Sequence, residues 1–405
     1  MQMVKIAWRN LHRNRKRTAI TLIAVAANTA ILIASLALTE GMMLQMERSV
    51  TRLILGDAQV HAPEYRKEQS MYLPVLKPEA LMTAIEATGA QAAPRSYGFG
   101  LLSVGSKSSG VRMAGVNPKR EAAAFELATK VDSGAWLNEL PDHGVVIGRR
   151  LARSLHAAVG TELVAVVQAA DGSTGADAYK VVGILKAVSE EIDRGAVYMH
   201  AADFDELFVA GGRVHEVAIH LNEVPMPALR AAVGPALGKA ELMTWRQLLP
   251  PLAELMQAVE MSLFLFAGVF FLGAGLGVLN TMLMATHDRV REFGVIKALG
   301  GTPWRIVRDV AAEGLLLGVL AAGIGAILGS LGSLYLQTSG IDLSGFGEDT
   351  VPMAGLAWET MMYASLTPHQ VVGSAATMIG ASVFASLYPA IKAARMQPVH
   401  AMTHV

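Results

Sequence analysis

The sequence predicts a polytopic α-helical membrane protein with four transmembrane helices and a large α+β extracytoplasmic domain inserted between helices 1 and 2. Three observations predict it. Of 405 residues, 52% are apolar and only 17% charged, where a soluble domain holds about a quarter charged residues. Four apolar runs, Thr18–Thr39, Ser262–Ala285, Val310–Leu336 and Val371–Ile391, are each long enough to cross a bilayer. Between the first two lies a long stretch, Gly56–Trp245, whose periodicity switches between 2 and 3.6 and whose segments are separated by Gly, Pro and Asp.

Residues 1–17 carry Lys5, Arg9, Arg13, Arg15, Lys16 and Arg17 and no acid. With Ile6, Trp8 and Leu11 they read as an amphipathic helix lying at the cytoplasmic interface. The first crossing occupies 18–40. Its uncharged run exceeds the roughly 7–15-residue core of a secretory signal peptide, so it is expected to remain as a span. Asn28 and Thr29 fall mid-bilayer, where polar side chains face another helix. Residues 41–55 extend the helix as a stalk, with methionines as packing residues.

The domain at 56–245 reads as strands at Asp57–Ala62, Val111–Val116, Gly144–Ile147, Glu162–Val167, Tyr179–Leu185, Ala196–Met199 and Val217–Leu221. Helical stretches are Glu79–Thr88, Arg149–Leu155, Ala202–Phe208 and Met226–Ala236, and Gln168–Ala178 is a hairpin or a mobile loop. The length suits one domain or two small ones. No basic stripe runs along it, which argues against nucleic acid as a partner.

Catalytic chemistry finds no constellation. There are no cysteines, which excludes disulfides, thiol catalysis and cysteine metal sites. Gly105–Gly110 lacks the order of a phosphate loop, and that order occurs nowhere in the chain. His143, His156, His200, His215 and His220 are scattered without ligand spacing. No catalytic, cofactor-binding or metal residue is therefore expected.

A second stalk at 246–261, with Pro250-Pro251 at its start, leads into the crossing at 262–285. Residues 286–309 then form a charged interruption. Within Met284–Arg308 (MATHDRVREFGVIKALGGTPWRIVR), Val290, Phe293, Ile296 and Lys297 recur at helical spacing. Gly300-Gly301 stop that short helix, and Thr302-Pro303 start the next. A crossing at 310–336 follows, then an outer loop at 337–370 with a short helix near Leu356–Ala364, then a crossing at 371–391 and a tail at 392–405. Three pairs of glycines at small-xxx-small spacing, Gly273/Gly277, Gly314/Gly318 and Gly325/Gly329, mark surfaces for close helix packing.

Charge sets the orientation. The N-terminal segment, the 286–309 loop and the tail (Lys392, Arg395) are basic. The 337–370 loop carries Asp342, Glu348, Asp349 and Glu359 and no base. Basic short segments stay inside, which puts both termini in the cytoplasm and the large domain outside.

Three motifs carry a family resemblance. MLMATHDRVREFGVIKALGGTPWRIVRDVAAEG resembles the core of the FtsX-like permeases, and SLYPAIKAARMQPVHAM is similar to their ending. AWRNLHRNRKRT looks like their amphipathic start. These belong to the ABC transporter group that includes the lipoprotein-releasing permeases and the membrane part of the macrolide exporter MacB. The resemblance implies a bacterial inner-membrane permease subunit of the mechanotransmission type. It acts with a second permease subunit, as homodimer or related heterodimer, and with a cytoplasmic ABC ATPase that binds ATP and Mg. MacB carries its ATPase in the same chain and this sequence has none, so a separate ATPase subunit is expected. The resemblance maps the ATPase contact to Arg289, Arg291, Glu292, Phe293, Gly294, Lys297, Leu299 and Gly300, with Glu313 at the family's acidic position. Movement of the outer domain would act on a lipoprotein, peptide or amphiphile, with a periplasmic or outer-membrane partner and membrane lipid around it. The rival class is a membrane-anchored sensor or scaffold that regulates an outer partner, such as a cell-wall hydrolase, without moving a substrate.

Overall fold

The computed structural model describes residues 7–10, 13–342, 350–353, 356–359 and 361–397. Residues 1–6 and 11–12 of the expected interfacial helix at 1–17, part of the outer loop, and the tail beyond 397 lie outside the described residues. Numbered in chain order and leaving out single turns, the helices are α1 (Arg15–Leu53), α2 (Pro78–Glu86), α3 (Pro118–Ala124), α4 (Arg149–Leu155), α5 (Glu190–Gly195), α6 (Ala201–Phe208), α7 (Met226–Leu237), α8 (Pro250–His287), α9 (Val290–Ala298), α10 (Pro303–Ser339) and α11 (Pro368–Arg395). The chain forms two compact units, and it passes from one to the other within α1 and α8.

The first unit is built from α1, α8, α10 and α11, the four helices long and apolar enough to cross a membrane. In a bilayer every backbone group must be satisfied inside its own segment, so uninterrupted helices are the available solution. Without a hydrophobic drive between helices, close van der Waals contact holds them together. α10 supplies it on two faces. A Cβ at Gly314 would sit 2.5 Å from Ser386 Cβ, and one at Gly318 would sit 2.7 Å from Ser382 Cβ, so α10 lies backbone-close on α11. A Cβ at Gly325 would sit 2.4 Å from the Ala26 carbonyl oxygen, and one at Gly329 would meet Ala30 at 2.9 Å, so the same helix lies equally close on α1. Gly273 on α8 meets only the Asn28 amide, at 3.5 Å, and at Gly277 nothing lies within 4 Å. The partner of α8 is instead reached by polar groups: Asn28 Nδ2 donates to the Phe270 carbonyl at 2.9 Å, and the Thr21 and Thr281 hydroxyls bond to each other. Thr29 is fully buried beside Gly325.

The second unit is a mixed α/β domain. Its strands are β1 (Ala58–His61), β2 (Gln91–Val104), β3 (Lys107–Val116), β4 (Val131–Gly134), β5 (Gly144–Ile147), β6 (Glu162–Gln168), β7 (Thr174–Leu185), β8 (Ala196–His200), β9 (Glu216–His220) and β10 (Glu241–Thr244). Following the pairings β2-β3-β8-β5-β7-β6 returns to β2, a closed ring that leaves those strands few free edges. β9, β1 and β10 continue as an open flank from the other half of β2. Arg95 to Gln91 of β2 pair with β9, and Gly100 to Ser103 pair with β6. Two cores follow. One fills the ring around Leu102, Ile147, Tyr179, Phe204 and Phe208. The other packs α2 and α7 on the flank through Leu81, Ile85, Ile219 and Leu229.

β2 was not among the expected strands, and it carries Pro94, Gly98 and Gly100, residue types that ordinarily weaken a strand interior. Here each glycine answers a close approach. A Cβ on Gly98 would enter the Phe208 ring at 2.3 Å, and one on Gly100 would strike the Val167 side chain at 2.6 Å. β6 and β7 form the hairpin alternative for Gln168–Ala178, paired from Gln168↔Thr174 onward. The helix expected near Leu356–Ala364 is not formed. Leu356–Glu359 is a strand paired antiparallel with Thr350–Met353, and Met361–Met362 pairs with Ile341–Asp342. A helix this short does not recover its nucleation cost, and nearby antiparallel partners satisfy the backbone instead.

Arg95 ties the outer end of α1 into this domain. It is buried and contacts Glu121 at 2.7 Å and Glu216 at 3.1 Å. It also donates to the Ile54 carbonyl at 2.7 Å, just past the last turn of α1, and it stacks 4.5 Å over the Phe125 ring. The Glu126 N–H donates to the Arg52 carbonyl at 2.9 Å, so two orphan carbonyls at the helix end are satisfied by the domain.

Two outcomes are expected of this fold. Replacing Gly318 by Leu should destabilise the bundle by about 1–3 kcal/mol, the range for overpacking. Gly277→Ala should change it by less than about 0.5 kcal/mol, both read by denaturant titration in detergent micelles. The second outcome concerns His215, which is fully buried. It accepts from the Tyr97 N–H at Nδ1, and its Nε2 bonds the Met71 carbonyl, so the neutral ring is the form that fits. Burial pushes its pKa below the ordinary 6.5, and burial does the same at His61. The unfolded chain therefore binds more protons below about pH 6.5, and outer-domain stability should fall with acidification by up to about 1.4 kcal/mol per pH unit for each ring. His215→Asn, which keeps an acceptor for Tyr97, should flatten that slope; an unchanged slope would exclude His215 as its source.

Candidate functional site

The site is α9 and its joints, which connect α8 to α10 inside the first unit. Its C-terminus closes with the 6→1 bond of a glycine-terminated helix: the Gly301 N–H donates to the Ile296 carbonyl at 2.9 Å, and Gly300 takes φ +84. Gly301 cannot carry a side chain without moving Ile296, whose carbonyl oxygen would lie 2.7 Å from a Cβ. Thr302 and Pro303 then open α10.

The inner face of α9 is docked. Phe293 is buried among Ile306, Val310, Ala390, Ala393 and Ala394, with Ile296 and Val307 alongside. Phe293 thus holds α9 against the starts and ends of α10 and α11. Val290 and Gly294 are buried on the same face.

Charges clamp the ends. Arg289 Nη1 donates to Glu313 Oε1 at 2.6 Å, and Arg289 Nε donates to Glu292 Oε2 at 3.0 Å. Its guanidinium lies 5.2 Å over the Phe293 ring. Asn10 Nδ2 adds a second donor to Glu313 at 2.5 Å. Glu292 is also bonded by Arg13, and Asp288 by Arg17 at 3.3 Å. Lys297 Nζ donates to the Met396 carbonyl at 2.7 Å, just past the end of α11. Burial opposes the charge on Arg289, but Glu313 and Glu292 outweigh it and hold the guanidinium pKa above its ordinary value. At Glu292 burial likewise opposes ionisation, and hydrogen bonds from Arg13 and Arg289 outweigh it and lower the pKa. Both groups stay charged across the physiological range, so the Arg289–Glu292 pair does not switch with pH there.

The residues singled out from the sequence divide into two sets. Arg289, Glu292, Phe293, Gly294, Lys297 and Glu313 hold α9 in place. Arg291, Leu299 and Gly300 are exposed. The exposed side also presents Val295 at 49% exposure and Trp304 at 71%, beside Leu299 at 83%. An aromatic and two aliphatics left open next to a basic helix make a surface suited to a protein partner. Sequence reasoning missed Val295 and Trp304, although a tryptophan inside a basic loop was a readable signal. It also missed Asn10, Arg13 and Asp288, whose roles depend on residues nearly three hundred positions away.

Comparison with known proteins matches two family descriptions. Residues 18–236 match the MacB-like periplasmic core domain, and residues 264–398 match the FtsX-like permease C-terminal region. The chain is 22% identical over 327 residues to the lipoprotein-releasing system transmembrane protein LolC of Neisseria meningitidis, covering 77% of this chain and 78% of that protein. It is 24% identical over 433 residues to the pyoverdine export ATP-binding/permease protein PvdT of Pseudomonas fluorescens, covering all of this chain but 59% of that protein. Among solved structures it is similar to the periplasmic region of MacB from Actinobacillus actinomycetemcomitans, at 15% identity and TM-score 0.39, over 54% of this chain and 98% of that one.

The clamp generates a prediction. Glu313→Ala takes the buried carboxylate from Arg289 and leaves it the more exposed Glu292, at a cost of about 1–3 kcal/mol. Amide exchange across Val290–Ala298 should then accelerate on the order of tenfold. Arg289→Met combined with Glu313→Leu leaves no charge buried alone and should recover most of the protection. Equal exchange in wild type and Glu313→Ala would mean that the Arg289–Glu313 pair does not hold the helix.

Proposed function

Because this chain belongs to the FtsX/MacB-like permease superfamily, a group of membrane proteins with a large extracytoplasmic domain, we propose that it is the permease subunit of an ABC transporter of the mechanotransmission type. In this reading both termini and α9 face the cytoplasm, as the basic charge of those segments favours. A separate ATPase subunit binds the exposed side of α9, a second permease subunit pairs with this one, and the outer domain does the work on its substrate. Nucleotide and Mg belong to the ATPase, and this chain contributes no catalytic group.

The observation that carries the reading is the division of α9 into a clamped inner face and an open outer one. A helix fixed by Phe293, Glu313 and Lys297 cannot be pushed without moving the ends of α10 and α11. Force applied at Val295, Leu299 and Trp304 therefore enters the long helices. α1 and α8 are unbroken from the bundle into the outer domain, and Arg95 fastens the far end of α1 there. The bundle needs no polar pathway for this work. Substrate chemistry follows the relatives' names only loosely: one is called lipoprotein-releasing, another exports pyoverdine, and an amphiphile, peptide or lipoprotein is the class this subunit would serve.

The test isolates the full-length protein from its native membrane in mild detergent and identifies what comes with it. A stoichiometric ABC ATPase is expected. Leu299→Glu with Trp304→Ala should reduce its retention by about tenfold or more, since buried aromatic and aliphatic anchors each carry about 1–2 kcal/mol or more. The bundle itself should stay folded, because both side chains are exposed. If no ATPase is captured even by a crosslinker placed at Arg291, the sensor or scaffold reading takes its place.

A further inference from the structure

α1 has two stripes at its N-terminal end. One faces α8 and α9: Arg13 meets Glu292, Arg17 meets Asp288, and Thr21 meets Thr281. The other stripe, Arg15, Thr18, Ala19 and Leu22, follows helical spacing i, i+3, i+4 and i+7. It borders a groove of about 360 Å³ whose other wall comes from Leu317 and Leu320 on α10, with Trp8 at its mouth. Arg13 and Arg17 are neutralised by carboxylates of their own chain. Arg15 is exposed and has no carboxylate partner among the described residues.

The groove is ordered along its length. A guanidinium, a hydroxyl and an indole stand at the end that also carries α9, and leucines line the deeper part. Arg15 and Leu22 are separated by about 10 Å along the helix axis, the distance from a lipid phosphate into the upper acyl region. Tryptophan at that level is the usual mark of the headgroup boundary. We propose that this groove is a binding site for an anionic phospholipid, its phosphodiester on Arg15 and one acyl chain against Leu22, Leu317 and Leu320. The charge of the segment favours this occupant: Arg15 lines the groove, and Arg9 and Lys16 belong to the same stretch, 1–17, which carries no acid. Basic pockets between membrane helices recognise anionic headgroups, and basic residues beside a span attract anionic lipid. A water-soluble anion has no use for the leucine floor. A zwitterionic lipid offers the same phosphodiester but brings an ammonium beside a segment whose charges are all basic, which disfavours it.

The experiment is native mass spectrometry of the full-length protein in detergent. Three probes with the same protein separate the sources: phosphatidylglycerol, phosphatidylethanolamine of matched acyl chains, and glycerol phosphate. Wild type should retain phosphatidylglycerol about fivefold better than phosphatidylethanolamine, as one added basic contact predicts, and should not retain glycerol phosphate. Arg15→Ala should abolish the preference, while Arg15→Lys and Lys16→Ala keep it. Leu320→Trp, which fills the groove, should reduce retention of both lipids at least fivefold. Equal retention of the two lipids by wild type, an intact preference in Arg15→Ala, or glycerol phosphate binding as well as the lipid would each overturn the proposal. Circular dichroism of every variant keeps misfolding from imitating the loss: a folded Arg15→Ala that retains the preference sinks it directly, and Leu320→Trp supplies an independent readout if Arg15→Ala is unstable.

Discussion

The membrane unit depends on how closely α10 can approach its neighbours. Lipid tails are as apolar as the side chains, so burying leucine against leucine yields little between helices in a bilayer. What remains is dispersion, which rises steeply only at contact distance. Glycine at 314 and 318 lets the α10 backbone reach Ser382 and Ser386, and glycine at 325 and 329 lets it reach Ala26 and Ala30. Those four positions make α10 the common partner of α1 and α11. α8 is held differently, by an amide and a hydroxyl that bridge to α1, and much of its surface stays open to lipid or to another chain.

Close packing of α10 also brings its first turns to α9. Phe293 supplies apolar contact and Arg289 supplies charge, and the two act together because the guanidinium lies over the same ring it helps to bury. Glu313 is almost fully buried, so its oxygens lose solvent and need donors from the protein. Donors from Arg289 and Asn10 offset that desolvation. The pair is thus better understood as a device that fixes where α9 sits than as a source of stability, since buried ion pairs return little net free energy. A fixed inner face is what makes the open outer face mechanically useful.

In the outer domain the corresponding device is Arg95. One guanidinium serves two carboxylates and a carbonyl beyond the end of α1, and all three charged side chains are buried. Its position is set by β2, which enters both the ring and the flank and so passes through both cores. The strand tolerates Pro94 near the end of a ladder: it pairs with Val217 of β9 and precedes Arg95, where the pairing with β3 begins. It tolerates glycines because α6 and β6 fill the space where side chains would stand.

By itself the sequence determined the parts governed by composition and local pattern. Four uncharged or nearly uncharged runs can satisfy their backbones only as helices in lipid. Seven strands and four helices of the outer domain announce themselves by period. Gly300-Gly301 and Thr302-Pro303 mark the ends of α9 and the start of α10 by backbone preference alone. Tertiary structure decided what depends on distant partners. Gly98 and Gly100 within a strand are explained only once Phe208 and Val167 are seen to occupy their side-chain space. Leu356–Glu359 is ambiguous until Thr350–Met353 lies beside it. Gly314 and Gly273 have the same local motif, yet only the first meets a neighbouring backbone. The division of α9 into Phe293 inside and Leu299 outside likewise rests on α10 and α11, because helical spacing defines faces but not which face finds a partner.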